Sequence, residues 1–118
     1  TVLDESGAFL GGAITPGVRL SAEALARRTG LPVADMTAPK NAIGRNTADC
    51  LRSGAILGAA AMVDGMIDRL EESLGKPVPV VATGGLSGCV TPHCRRQITR
   101  DEWLLLRGLA VMYQANAD

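Results

Sequence analysis

The 118-residue sequence predicts one α/β domain, a mixed sheet flanked by helices. Three observations indicate this class. Apolar residues recur at steps of three and four along one long helical segment, and short runs typical of strands alternate with helical segments on both sides of it. Glycine and proline mark the boundaries, and no repeat or low-complexity linker divides the chain. The predicted order of elements is β-β-α-β-α-β-α-β-α.

The first part of the chain is predicted to form a hairpin and a helix. In order, its elements are a strand at Val2–Asp4, a turn at Glu5–Gly7, a strand at Ala8–Ile14, a helix from about Val18 to Thr29, and a short extended segment at Leu31–Met36. Gly11-Gly12 within the second strand predicts a bulge or a close approach to the backbone. Gly30 ends the helix, whose inward residues are expected to be Val18, Ala22 and Leu25.

A long amphipathic helix is the central element. Asn46 is a favourable N-cap with Asp49 in the first turn, and the helix is expected to end with Leu74, before Gly75. One face carries the larger apolar residues, Ile56, Ala59, Val63, Ile67, Leu70 and Leu74. A second stripe consists of small residues, Gly54, Gly58, Ala61 and Gly65. Interior glycines cost about 1 kcal/mol each against alanine, so we expect another backbone to approach this stripe and the helix to be buried on two sides.

The C-terminal part is predicted to supply two strands and two helices. Val78–Ala82, interrupted by Pro79, reads as the most buried strand of the chain. The other elements are a short helix at Leu86–Val90, an edge strand at Arg95–Thr99 with Ile98 inward, and a helix from Glu102 to about Asn116 capped by Asp101. One face of this last helix is expected to carry Trp103, Leu106, Ala110 and Tyr113.

Composition argues against several classes of function. Twelve basic and twelve acidic residues leave no formal net charge, and aromatic residues make up 3%, so we expect neither a nucleic-acid surface nor a base-stacking platform. The longest uncharged apolar run, Ser53–Val63, is too short and too rich in glycine to span a bilayer. Three widely spaced cysteines fit a reducing compartment, which makes the cytoplasm the expected location.

Two segments are candidates for ligand binding. Arg45-Asn46-Thr47 places a cation, an amide cap and a hydroxyl at a helix N-terminus, where N–H donors and the helix dipole would stabilise a carboxylate or phosphate. The alternative is a plain cap with a solvated arginine. Thr83-Gly84-Gly85 follows a strand and would bring backbone N–H groups near a ligand, the alternative being a tight turn without one. The similar kinked segment at 11–17 is better explained as structural.

The residues predict no catalytic or metal centre. Cys89, His93 and Cys94 lie close in sequence, but a closed zinc site needs four ligands and this spacing is not a standard zinc pattern, even if Cys50 is added. His93, the single histidine, is expected to be exposed, and no nucleophile–base pair can be argued. The acidic residues of the central helix, Asp64, Asp68, Glu71 and Glu72, lie on its polar side, where carboxylates normally meet solvent, and none is a compelling general base.

An ordered set of short motifs resembles the second half of the type III pantothenate kinases, a family that includes the Bvg accessory factor homologues. The motifs are Gly11-Gly12-Ala13-Ile14-Thr15-Pro16-Gly17, Leu31-Pro32, Gly44-Arg45-Asn46-Thr47, Ser53-Gly54, Ala82-Thr83-Gly84-Gly85-Leu86 and Leu106-Arg107-Gly108-Leu109. Each is weak alone, but they occur in the family's order and cover nearly the whole chain. The resemblance implies that residues 1–118 form the ribonuclease H-like second domain of the acetate/sugar kinase–Hsp70–actin superfamily.

The resemblance also implies a function. It implies ATP-dependent phosphorylation of pantothenate, the first step of coenzyme A biosynthesis, by a homodimer in the bacterial cytoplasm that uses Mg²⁺ and a monovalent cation, K⁺ or NH₄⁺. Thr47 matches the family threonine that contacts pantothenate, and Asn46 and Arg45 lie beside it. Gly84 and Gly85, preceded by Thr83, match the nucleotide side.

Several family motifs have no counterpart in this chain. The phosphate-binding Asp-x-Gly-Asn-Thr/Ser strand, the Gly-x-Asp-Arg segment with its catalytic aspartate, and the aspartate associated with the monovalent cation would all lie before Thr1. Phosphoryl transfer depends on positioning and charge stabilisation of the phosphates, so the chain is expected to be a C-terminal part that is inactive alone. Two alternatives stay open, namely another sugar-type kinase, which the Gly-Arg-Asn-Thr helix start disfavours, and a non-catalytic regulatory relative serving as an interaction module.

Overall fold

One long helix, α2 (Thr47–Leu74), organises the structure, a computed structural model that describes residues 1–117. The Asn46 side chain accepts a hydrogen bond from the Asp49 backbone N–H at 2.9 Å, which satisfies one of the donors left free at a helix start. Gly75 ends the helix in the left-handed region, with φ 70°. Both predicted ends of this helix are confirmed.

The other elements are short. They are β1 (Val2–Leu3), β2 (Phe9–Gly11), α1 (Val18–Thr29), β3 (Val81–Ala82), α3 (Ser87–Val90), a 3-10 turn (Thr91–His93), β4 (Thr99–Arg100) and α4 (Leu104–Ala115). The bounds of α1 agree with the prediction, and α3 starts one residue later than predicted. α4 starts two residues later, because Asp101 accepts the Trp103 backbone N–H at 3.0 Å and so stabilises a turn before the helix instead of capping it.

The strands form two separate pairs within residues 1–117 instead of one mixed sheet. β1 and β2 pair antiparallel, which confirms the predicted hairpin, and their register slips by one residue between Val2 and Leu3. Gly11 has φ 136°, and a β-carbon at Gly12 would lie 3.1 Å from the Thr1 Cα, so the predicted irregularity and close approach are both present. β3 and β4 pair in parallel.

Four strand predictions are wrong in extent or burial. The second strand, predicted at Ala8–Ile14, is limited to Phe9–Gly11. No strand forms at Leu31–Met36, and residues 30–46 contain neither helix nor strand. Of Val78–Ala82, only the last two residues are strand, and Val81 is 51% exposed because β4 is its one neighbour in the described part of the chain. The predicted strand at Arg95–Thr99 is reduced to β4, since the backbone N–H groups of residues 95 and 96 bond to a side chain of α2 instead of a neighbouring strand.

The hydrophobic core is small and runs along α2. Its buried residues are Ala22, Ala34, Ile56, Ala60, Ile67 and Val90, of which Ile56 is fully buried. The predicted apolar face of α2 is confirmed, because each of its six residues is buried or partly buried. Leu25 of α1 is 46% exposed and does not face inward as predicted. The predicted packing face of the last helix, Trp103, Leu106, Ala110 and Tyr113, is also exposed.

The small-residue stripe of α2 is not covered, so the expectation of burial on two sides is wrong for this chain. A β-carbon at Gly54, Gly58 or Gly65 would meet no atom of the described residues within 4 Å. The accessible surface of 8745 Å² exceeds the roughly 6,000 Å² of a compact protein of this mass. The radius of gyration, 16.9 Å, likewise exceeds the about 13–14 Å of a compact chain of this length. The chain by itself leaves apolar surface open that a compact domain would bury.

By length and composition alone, α2 could cross a membrane, and it is the one helix in residues 1–117 that could. The core helix of a soluble protein satisfies the same criterion. The second half of α2 carries Asp64, Asp68 and Glu71, and all three bond to the segment at residues 95–96. These polar contacts favour packing against protein, and the absence of a membrane span stays a prediction.

Candidate functional site

The start of α2 brings Arg45, Asn46 and Thr47 together. Asn46 is extended (φ −144°, ψ 167°), and in addition to accepting the Asp49 N–H it donates its own Nδ2 to Asp49 Oδ2 at 2.8 Å. Cap and third helical residue therefore bond reciprocally, although Asp49 accepts from the Asn46 side chain and not from its backbone N–H as in a capping box. Thr47 is the first helical residue, and both it and Arg45 are exposed. The position of the three residues at a helix N-terminus follows the prediction.

Side chains in the first two turns of α2 hold the irregular segment 30–46 in place. The Ser53 hydroxyl donates to the Ala42 carbonyl oxygen at 2.6 Å. The Cys50 thiol donates to the Gly44 carbonyl oxygen at 3.4 Å. The segment contributes a buried residue of its own, Ala34, which is 8% exposed. A loop of this length without regular structure is therefore anchored at several points to the helix that follows it.

Gly44 is required by a close approach between this segment and the helix. A β-carbon at this position would lie 2.6 Å from the Asp49 carbonyl carbon and 2.7 Å from the Cys50 Cα. Both are backbone atoms, which cannot move aside as the end of a flexible side chain can. The sequence motif contains Gly44, but its reason is steric and depends on tertiary contact, so sequence reasoning could not derive it from a turn or a cap.

Arg52 is the centre of an ion-pair cluster at the same place. Its Nε lies 2.9 Å from each oxygen of Asp35, one terminal nitrogen lies 2.6 Å from Asp35 Oδ2, and the other lies 3.2 Å from Asp49 Oδ1. Asp35 also accepts from the backbone N–H of Thr37, at 3.1 Å, and from its hydroxyl. The Arg52 guanidinium, followed by Thr37, holds the pKa of Asp35 well below its usual range, and Asp35 raises the pKa of Arg52. Both groups therefore remain charged at neutral pH.

The charges at the N-terminal end of α2 favour the binding of an anion. Arg52 is matched by two carboxylates, whereas Arg45 takes part in none of the ion pairs among residues 1–117. The first N–H groups of a helix have no intrahelical acceptor, and the dipole places roughly half a positive charge there. This arrangement can bind a carboxylate or phosphate beside the Thr47 hydroxyl.

The Thr83-Gly84-Gly85 segment follows β3, as predicted. Gly84 has φ 99°, which side chains rarely tolerate, and its carbonyl oxygen accepts from the backbone N–H of Ser87 at 3.1 Å and from its hydroxyl at 2.7 Å. All three predicted residues are exposed. A β-carbon at Gly85 would meet nothing within 4 Å in the described chain. The helix that follows has only four residues, so its dipole is weaker than the sequence argument assumed.

No hydrogen bond among residues 1–117 joins the two candidate segments, 45–47 and 83–85. The 3-10 turn that follows α3 packs on α2, and just after it the Cys94 thiol lies 3.9 Å from the Ala60 carbonyl oxygen. In the described residues each candidate segment is an exposed surface with its own local hydrogen bonds.

The acidic residues of α2, predicted to meet solvent, instead mostly hold the segment before β4. Asp64 accepts the backbone N–H groups of Arg95 at 2.8 Å and Arg96 at 3.1 Å. The Arg96 side chain lies 3.1 Å from Asp68 and also pairs with Glu71. A hydrogen bond from the Val78 backbone N–H, followed by Arg96, lowers the pKa of Glu71. Glu72 is exposed, as predicted.

The cysteines and the histidine form no metal centre in the part of the chain that the structure describes. All three cysteines are free, and no group of three or more His, Cys, Asp or Glu side chains there could hold a metal ion. His93 is partly buried instead of exposed as predicted, because it lies in the 3-10 turn that packs on α2. Burial, followed by the charge of Asp64, raises the pKa of the Cys94 thiol. The described residues therefore do not themselves fit the Mg²⁺ or monovalent cation that the sequence resemblance implies.

Comparison with known proteins points to one family. The family model for type III pantothenate kinase matches residues 1–69. A protein named type III pantothenate kinase from Acidothermus cellulolyticus is 40% identical over 116 residues, covering 98% of this chain and 45% of the relative. One from Roseiflexus is 39% identical over 116 residues (98% and 46%), and one from Thermus thermophilus is 48% identical over 102 residues (86% and 40%). The chain spans less than half the length of the curated relatives it matches.

Proposed function

This chain belongs to the type III pantothenate kinase family, and on that premise we propose that it is the C-terminal part of an enzyme that phosphorylates pantothenate with ATP, in the first step of coenzyme A biosynthesis. The observation that carries the proposal is the Gly44-Arg45-Asn46-Thr47 start of α2, which lies inside the region that the family model matches. It offers a cation that forms no ion pair among residues 1–117, a hydroxyl and a helix N-terminus. Pantothenate carries a carboxylate and hydroxyl groups, which such a site would bind.

Each residue of this site has a role in the proposal. The Thr47 hydroxyl hydrogen-bonds pantothenate, Arg45 together with the helix dipole stabilises its negative charge, and Asn46 maintains the cap that places Thr47 at the helix start. On the nucleotide side, Thr83, Gly84 and Gly85 present exposed backbone to ATP. This part of the chain binds and orients substrates, and it supplies no catalytic residue.

The remaining machinery is expected from the rest of the parent protein. We place the phosphate loop, the catalytic aspartate and the sites for Mg²⁺ and the monovalent cation there, since residues 1–117 offer no cluster of metal ligands. In this proposal residues 1–118 are the ribonuclease H-like second domain of a two-domain cytoplasmic kinase. The relatives' greater length supports it, because this chain covers 45% of the Acidothermus protein.

The uncovered apolar surface supports an interface with another domain or subunit. The exposed large apolar residues of α4 are Leu104, Leu105, Leu106, Leu109, Val111, Met112 and Tyr113. Soluble proteins rarely leave an apolar patch of this extent in contact with water. We propose that α4 and the small-residue stripe of α2 are covered by the other domain or by a second protomer of a homodimer, which is the commonest oligomer.

The direct test is the kinetics of Thr47→Val in the full-length enzyme. The loss of one hydrogen bond to a polar ligand is worth about 0.5–1.5 kcal/mol, so the KM for pantothenate should rise up to about tenfold while ATP binding stays nearly intact. Steady-state assays that vary one substrate at a time measure both constants. Unchanged pantothenate kinetics in the variant would remove Thr47 from the site. A folded wild-type protein that does not phosphorylate pantothenate would contradict the function itself and favour a non-catalytic relative.

A further inference from the structure

An unbroken series of hydrogen bonds connects the irregular segment 30–46 to the cap of α2. It runs from Thr37 to Asp35, on to Arg52, then to Asp49 and finally to Asn46, and we name these five residues the α2-start network. We propose that Asp35 is a positioning residue for pantothenate, acting through Arg52 and Asp49 on the Asn46 cap and hence on Thr47. The inference rests on the proposed function of the α2 start and adds a residue that does not itself touch substrate.

The geometry of the network suits positioning. Arg52 binds Asp35 through two nitrogens, and such a planar, forked contact restricts orientation more than a single bond does. The other terminal nitrogen of Arg52 reaches Asp49 Oδ1, while Asp49 Oδ2 accepts from Asn46 Nδ2. A displacement of Asp35 is therefore transmitted through two shared side chains to the residue that precedes Thr47.

The charges of the network also matter for an anionic substrate. Asp35 and Asp49 would both repel a carboxylate bound near Thr47, and Arg52 offsets them from a position between the two. Removal of the Asp35 charge alone therefore has two opposite effects. It weakens the support of the cap, which should weaken pantothenate binding, and it removes a repulsive charge, which should strengthen binding. The sign of the change distinguishes positioning from simple electrostatics.

The chain provides a matched control at the other half of α2. Arg96 pairs with Asp68 and Glu71 and, like Arg52, joins the helix to a segment distant in sequence. Asp68 lies twenty-one residues after Thr47, or about 30 Å along the helix. Both aspartates are about half exposed, with 50% of the Asp35 and 56% of the Asp68 side chain accessible. Asp68→Asn thus removes a comparable ion pair without reaching the α2 start.

The experiment compares Asp35→Asn, Asp35→Glu and Asp68→Asn in the full-length enzyme. We expect Asp35→Asn to raise the KM for pantothenate about two- to fivefold, the range for a partly exposed ion pair, with the KM for ATP unchanged. Asp35→Glu keeps the charge and a forked acceptor and should recover part of the loss. Asp68→Asn should leave both KM values as in the wild type. Thermal unfolding of each variant reports any general loss of stability.

Each outcome decides the inference. An unchanged or lower pantothenate KM in folded Asp35→Asn overturns it, and so does an equal rise in Asp68→Asn, because both show that Asp35 does not position the site. If Asp35→Asn does not fold, Thr37→Val, which removes one outer bond of the network, is measured in its place, and an unchanged pantothenate KM overturns the inference. A wild-type enzyme that does not phosphorylate pantothenate overturns the proposed function and the inference together. A wild-type enzyme that is active, with unaffected variants, overturns the inference alone.

Discussion

The start of α2 and the glycine turn after β3 are both candidate ligand surfaces, but they are supported in opposite ways. At the start of α2, the chain provides its own supports, because Gly44 packs on the helix backbone and Arg52 bonds to Asp35 and Asp49. At the turn of residues 83–85, the only strand neighbour in the described chain is β4, and a β-carbon at either glycine would meet nothing within 4 Å. The surface at the start of α2 is therefore held in place by contacts within this chain. The surface at the glycine turn lies at a sheet edge and depends on whatever packs against that edge.

The largest loss of stability is expected at the start of α2, where Gly44 packs on the helix backbone. Gly44→Ala puts a β-carbon within 2.7 Å of the Cys50 Cα, so the segment and the helix must separate. Forced overpacking of this kind costs about 1–3 kcal/mol, and we expect the upper end because the crowding atoms are backbone. Urea unfolding of the full-length protein measures the loss.

The matched control is Gly17→Ala. Gly17 precedes α1 with φ −71°, and a β-carbon there meets no atom of the described residues within 4 Å. Alanine is a poorer N-cap than glycine, but at this allowed backbone conformation it also restricts the unfolded chain, which stabilises by about 0.4–1 kcal/mol, so the free energy of unfolding should change by less than about 1 kcal/mol. Equal effects of the two substitutions would show that the contact at Gly44 is not tight.

The second prediction concerns the small-residue stripe of α2, against which nothing packs within residues 1–117. Gly58→Leu should cost about 1–3 kcal/mol in the full-length protein if another domain or protomer packs there, because it adds several methylenes to a close contact. Within this chain a β-carbon at Gly58 meets nothing within 4 Å, so packing inside residues 1–117 gives no reason for a loss. Light scattering measures the oligomeric state, and a folded, fully dimeric Gly58→Leu protein would exclude the stripe from a dimer contact.

The smallest stability effects are expected at the glycine turn. Gly84→Ala should cost about 1 kcal/mol, since its φ of 99° strains any residue with a β-carbon. A β-carbon at Gly85 would meet no atom of the described chain within 4 Å, so the stability of Gly85→Val should stay within about 0.5 kcal/mol of wild type, while ATP binding weakens more than pantothenate binding. ATP affinity that is unaltered by Gly85→Val would support a plain turn without a ligand.

The elements that sequence predicted well are those with local causes. The caps of α2 at Asn46 and Gly75 and the bounds of α1 follow from hydrogen bonds within a few residues. The hairpin of β1 and β2 is local as well. Strand extent is different, because a ladder needs neighbours that are distant in sequence. The stretch at 78–80 is predicted as strand from its apolar character, but within residues 1–117 its one bond to β4 is from the Thr99 backbone N–H to the Val80 carbonyl oxygen, and it forms no strand.

In the candidate site, too, the features with local causes could be predicted and those that depend on distant residues could not. Cap chemistry predicted that Arg45, Asn46 and Thr47 share a helix N-terminus, and the structure places them there. Cap chemistry could not predict the pairing of Asp35 with Arg52, since the two residues are seventeen positions apart across a segment without regular structure. The acidic residues of α2 were assigned to solvent because a helical pattern shows which side is polar, but not which segment packs against it.

We propose that pantothenate binds at the start of α2 and the nucleotide at the turn after β3. Hydrogen–deuterium exchange of the full-length protein, with each ligand added separately, distinguishes the two sites. Pantothenate should slow exchange of the amides at 44–50 and leave 83–87 unchanged, because the first helical N–H groups of α2 then lie under the ligand. ATP should protect 83–87. Protection of 83–87 alone by pantothenate, or no change at 44–50 at saturating pantothenate, would contradict the claim.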